Sequence, residues 1–261
     1  MSSPRVRPET LQQIGRLGVA GTVIADAARR GVDRDVPSCP GWTLADLIRH
    51  VGAVHRWAHE VISGRLTGRP RDMFALLDAA GAAAVAPDDL AAWFVEGHAD
   101  LVAALLHTPD DEQFWTFGDG SSPVGFWARR QAHETAMHAV DAQLAVAAPD
   151  EVAPLPTWFA VDGIDEFLDV FVRRPGAMAR SDPARTLAVA PIDDPARWLI
   201  TIGPESVTAQ RTDGDEPADA TLTGTAHDLY CALWNRSPID RVDVDGDASV
   251  LALWAEGVKI I

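Results

Sequence analysis

Basic residues are scarce in this chain, and lysine is nearly missing. Lys and Arg together number 22 in 261 residues, Lys259 being the single lysine, against 38 Asp and Glu, for a net charge of −16. Residues from 150 onward carry 20 acidic against 9 basic groups, and the first 149 carry 18 against 13. Neither part offers the basic footprint that nucleic acid requires. The acidic balance favours solubility and is silent about substrate. Cysteine is also sparse: Cys39 and Cys231 stand far apart, with no disulfide framework or cysteine zinc spacing. Both are expected to be reduced packing residues in a cytoplasmic protein. No run of 18 apolar residues is present to span a membrane. The opening "MSSPRVRPETLQQIG" has no apolar signal-peptide core.

What is present describes a protein with a core, 47% hydrophobic and 23% charged. Helical periodicity dominates up to residue 147. "ETLQQIGRLGVAGTVIADAARR" (9–30) reads as a helix ended by Gly31, followed by the loop "GVDRDVPSCPGW". "TLADLIRHVGAVHRWAHEVISG" (43–64) has a capping-box start at Thr43 and Asp46 and a stop at Gly64. A shorter helix is expected over 71–86. Another follows Pro87, and a last one starts at Ser122–Pro123. Long amphipathic helices in series predict a bundle. The Pro-rich stretch 147–156 marks a boundary, giving domains 1–147 and 148–261. Beyond it, a helix over 157–174 precedes the β-like runs "TLAVAP", "RWLITIG", "SVTAQR" and "ADATLTG", and two helices close the chain. The fold class is α + α/β, a helical bundle followed by a small mixed α/β domain.

The segment "RRQAHETAMHAVDAQ" (129–143) carries His133, Glu134 and His138. It resembles the H-E-x-x-H zinc signature with one residue too many. Five helical steps of about 100° set His133 and His138 roughly 140° apart, so one ion cannot readily take both. Glu134 and His138, at i and i+4, share a face. They can be two metal ligands or an ordinary exposed helix pair worth a few tenths of a kcal/mol. A bundle can supply further ligands from a facing helix. The second helix offers His50, His55 and His59; the first two border its apolar stripe and His59 is closer to solvent. Periodicity does not choose between His50 and His55.

"VPSCPGWTLADLIRHVGAVHRWA" resembles the signature of the mycothiol-dependent maleylpyruvate isomerase family, within the DinB-like metal-binding bundles. The later E-x-x-x-H of that family corresponds to Glu134 and His138, and its first motif ends at His50. "LTGTAHDLYCALWNRSP" and "VDVDGDASVLALWAEG" are similar to its closing segment, in a C-terminal unit resembling sterol carrier proteins. The resemblance implies a DinB-like four-helix bundle in which His50, Glu134 and His138 hold zinc. It also implies an arginine of the LWxR segment, here Arg236, facing the metal cleft. This chain reads LWNR where LWGR is common. His133 then lies off the metal face, as a bundle-surface or interhelical packing residue, with a supporting role for the ligands as the alternative. Trp57, Trp93, Phe94 and Trp127 are expected mainly in the core.

Three protein ligands leave a fourth position open, as in catalytic zinc sites. Water there would be acidified and give a hydrolase; a thiol there would be held as thiolate. The resemblance implies the thiol, mycothiol, and 21 arginines against one lysine fit a GC-rich actinobacterial genome. The expected reaction is thiolate addition to a small electrophile in a cleft between the domains. It ends either in cis–trans isomerisation or in S-transfer, with Arg236 pairing a substrate carboxylate. The two alternatives are a zinc-dependent hydrolase on the same bundle and a non-catalytic metal- or thiol-binding protein.

Overall fold

The computed structural model describes residues 6–69, 75, 81–118, 122–172, 179–236 and 241–257. The chain divides into two compact units, Met1–Val152 and Ala153–Ile261. The first is built on four long helices: α1 (Pro8–Ala28), α2 (Leu44–Ser63), α3 (Leu90–His107) and α4 (Pro123–Val146). α1 packs on α3 and α4, and α2 packs on the same two. The start of α2 is fixed by its own sequence. Thr43 Oγ1 accepts from the Asp46 backbone N–H, and Asp46 accepts in return from the Thr43 N–H at 2.9 Å. α4 begins the same way: the Ser122 hydroxyl accepts from Gly125 N–H at 3.1 Å, and Pro123 takes the first helical position. Pro87 opens a 3₁₀ turn, Pro87–Asp89, which leads into α3. The helix expected over 71–86 lies largely outside the described residues; its end holds a 3₁₀ turn, Ala82–Ala84.

α4 departs from a simple two-faced helix. From Arg130 to Ala142 every residue except Glu134 is buried, polar ones included. A helix enclosed on all sides normally reads as apolar all round. Here Arg130, Gln131, His133, Thr135, His138 and Asp141 are all buried. Buried polar groups need partners, so α4 is where an internal polar network is to be sought.

The second unit opens with α5 (Thr157–Phe167), whose continuation widens into a π-helical turn over Leu168–Val172. A five-stranded sheet follows: β1 (Arg185–Pro191), β2 (Arg197–Ile202), β3 (Val207–Thr212), β4 (Ala220–Gly224) and β5 (Asp243–Gly246). The spatial order is β3-β2-β1-β4-β5, with β1 and β4 parallel and the other neighbours antiparallel. Alternation sets the buried face, with Leu187 and Val189, then Trp198, Ile200 and Ile202, then Ala220 and Leu222. β5 is the strand that hydrophobic patterning misses, since its "DVDG" carries two exposed aspartates. α6 (Ala226–Leu233) and α7 (Ala248–Gly257) complete the unit. α6 ends in a Schellman turn: Arg236 N–H donates to Cys231 O at 2.8 Å and Asn235 N–H to Ala232 O at 3.0 Å. Asn235 sits there at φ 56°, in the left-handed region. Asparagine follows glycine in tolerating that region, so the asparagine of LWNR can hold this turn.

Candidate metal centre

Nearly two turns into α2, His50 faces α4. Its Nε2 lies 3.5 Å from Glu134 Oε1, and His138 Nε2 lies 3.4 Å from the same oxygen. The three donor atoms all fall within 4.8 Å of one another. His50 Nε2 is buried and makes no hydrogen bond. An orphaned buried nitrogen in this setting is what a missing ligand leaves behind. Two imidazoles and a carboxylate are a standard donor set for zinc, and ligands at about 2.1 Å on a tetrahedral ion stand about 3.4 Å apart. The residues therefore fit a divalent ion.

Each of the two candidate ligands on α4 has its own support. Arg130, one turn before Glu134, donates to Oε2 at 2.8 Å and leaves Oε1 to the histidines. Asp141, three residues after His138, accepts a hydrogen bond from its Nδ1 at 2.9 Å. Burial opposes charge on Glu134, yet the contacts with His138 and His50 and the charge of Arg130 hold its carboxyl well below the usual range. Burial likewise disfavours the charged form of His138, but Asp141 and Glu134 overcome this and raise it to about 9.

Trp42, from the loop before α2, closes one side. Its ring is 5.1 Å from that of His50 and lies stacked, 15° off parallel, 6.4 Å from that of His138. Arg130, Asp141 and Trp42 were not among the residues expected from the sequence. The signal for the first two was available, because Arg130, Glu134, His138 and Asp141 fall within about 80° of one helix face at 100° per residue.

The remaining histidines sit elsewhere. His55 is fully buried, its Nε2 2.8 Å from Thr135 Oγ1. His59 is half-buried. His133 is fully buried, which excludes the bundle-surface placement expected as one of its readings. Phe94 and Trp127 are core, whereas Trp57 and Trp93 are half-buried. In the second unit, Arg236 is buried and donates to Trp234 O at 2.9 Å. Neither Cys39 nor Cys231 forms a disulfide. No helix among the described residues is long and apolar enough to cross a membrane.

Comparison with known proteins adds the following. The family model described as "Mycothiol maleylpyruvate isomerase N-terminal domain" matches residues 20–143, and that described as "MDMPI C-terminal domain" matches residues 159–253. A crystal structure of the mycothiol-dependent maleylpyruvate isomerase aligns at a TM-score of 0.62 and 16% identity, over 94% of this chain and 96% of that one. A histidine-to-alanine mutant of the enzyme of that name aligns at 0.64 and 15%, with the same coverage. At these identities the structural likeness speaks for the fold. Among curated proteins no match is found.

Proposed function

The chain belongs to the mycothiol-dependent maleylpyruvate isomerase family, and from that premise we propose that it is a metal- and mycothiol-dependent isomerase or thiol transferase acting on a small electrophile. The observation that carries the reading is the convergence of His50, Glu134 and His138, with the buried His50 nitrogen facing Glu134 at 3.5 Å without a hydrogen bond. These three residues would hold zinc or a related divalent ion. Bound there, the ion supplies a Lewis acid that keeps a thiol ionised at neutral pH, where a free thiol titrates near 8.5.

The chain's own groups do the rest. Arg130 and Asp141 keep the ligands in place, and the Trp42 ring lines the site with an apolar face. Arg236 is assigned the substrate, since a guanidinium fork suits a carboxylate. That assignment rests on the family resemblance. Mycothiol and a small electrophile are the partners, and the cytoplasm, where thiols stay reduced, is the proposed compartment.

The test is cobalt-loaded protein titrated with mycothiol, followed by turnover of candidate electrophiles with and without it. A thiol-dependent absorption change and thiol-dependent turnover are expected. Arg236→Ala should retain cobalt and lose turnover, with Arg236→Lys restoring only part, because a point charge lacks the fork. A spectrum indifferent to mycothiol, with product formed equally well in its absence, rejects the thiol reading in favour of a hydrolase.

A further inference from the structure

A second group of potential ligands overlaps the first. Cys39, His138 and Asp141 also bring their donor atoms within 4.8 Å of one another, and all three are buried. His138 belongs to both groups through different nitrogens. Nε2 faces Glu134, and Nδ1 faces Asp141. The second group is already bonded internally. Asp141 Oδ1 accepts from Ser38 Oγ at 2.5 Å, while Oδ2 accepts from His138 Nδ1 at 2.9 Å and from Cys39 Sγ at 3.5 Å. These donors satisfy both carboxylate oxygens.

We propose that Asp141 is a positioning residue: the loop residues Ser38 and Cys39 hold its carboxylate, and it in turn holds His138 in the tautomer that presents Nε2 to the metal. An imidazole has one proton for two nitrogens, and whichever nitrogen keeps it cannot bind an ion. The carboxylate 2.9 Å from Nδ1 retains the proton there. It is fully buried. The same loop carries Trp42 over both histidine rings. The chain from Ser38 through Asp141 to His138 therefore ties the wall of the site to one of its ligands across about a hundred residues of sequence. Outer carboxylates of this kind raise a histidine's basicity and fix its ring, and their loss typically weakens metal binding about 10–100-fold.

This inference rests on the proposed metal centre, so the experiment separates the two. Zinc affinity is measured by competition with a chromophoric chelator for the wild type, Asp141→Asn and Ser38→Ala, with circular dichroism reporting the fold. Asp141→Asn should bind zinc about 10–100-fold more weakly, and Ser38→Ala should lose less, both remaining folded. Long-range ¹H–¹⁵N spectra of the zinc-loaded wild type should show His138 protonated at Nδ1 and metallated at Nε2. That readout is independent of whether Asp141→Asn folds. Unchanged affinity in a folded Asp141→Asn, or metallation at Nδ1, overturns the positioning role and leaves the metal centre standing. A wild type that binds no zinc overturns both.

Discussion

Two pairs of histidines within the helical unit, each with one buried and one half-buried member, are held in opposite ways. His50 and His138 meet at Glu134, with Arg130 and Asp141 behind it. Five residues along α2, His55 meets His98 of α3 at 5.1 Å between ring centroids, beside Phe94 and Thr135. Burial disfavours charge in both places. At the first, two carboxylates more than offset it and His138 rises to about 9. At the second, His55 is held well below its ordinary value by burial and then by the nearby His98, while burial alone takes His98 down to about 4. His98 fits only because Gly21 of α1 has no side chain; a Cβ there would come within 2.3 Å of its ring. One pair is built around a charge and the other excludes it. What separates them is the presence of a carboxylate, not depth.

The strongest way to break this contrast is by truncation. His50→Ala, Glu134→Ala or His138→Ala should each weaken zinc binding more than about 100-fold, beyond the loss of an outer partner. His55→Ala and His133→Ala should keep the metal, with His55→Ala costing about 2–4 kcal/mol of stability as a buried ring is replaced by a cavity. Elemental analysis and urea unfolding on the same samples decide it. Loss of metal from folded His55→Ala, with His50→Ala still loaded, would reverse the assignment of the two histidines.

A second prediction concerns protons at the first pair. Since the metal-free His138 keeps its proton up to about pH 9, an ion must displace it, and ligand protonation competes with binding. Apparent zinc affinity should climb by about tenfold per pH unit between pH 6 and 9 and then level off. A profile flat over that range would mean that His138 is already neutral.

The smallest effect belongs to the other pair. The folded-state value of His98 lies below its unfolded one, so the unfolded chain takes up the proton first as pH falls. The stability from keeping it neutral is present above about 6.5 and lost as pH drops toward about 4. The loss should amount to about 1–3 kcal/mol, at roughly 1.4 kcal/mol per pKa unit. Urea midpoints from pH 7 to 4.5, compared with His98→Gln, isolate this from the titrating carboxylates. Parallel curves for the two proteins would remove His98 as a source of acid lability.

The sequence by itself determined what depends on neighbours along the chain. Thr43 with Asp46 and Ser122 with Pro123 set the starts of α2 and α4, because a cap is completed within three residues. Alternation marked β1 to β4, since a half-buried strand shows it locally, whereas the exposed aspartates of β5 show none. The i, i+4 pair of Glu134 and His138 was legible for the same reason. The third donor was open to two histidines on the stripe of α2, and only the family resemblance favoured His50. Tertiary structure decided what depends on packing between distant segments. It turned His50 toward Glu134 and His55 toward Thr135 and His98, and it buried His133. It also brought Ser38 and Cys39 onto Asp141, about a hundred residues away. A side chain's direction from its helix follows from the sequence, but what it meets there, a carboxylate or another imidazole, depends on which helix lies opposite, and that is settled only when the bundle closes.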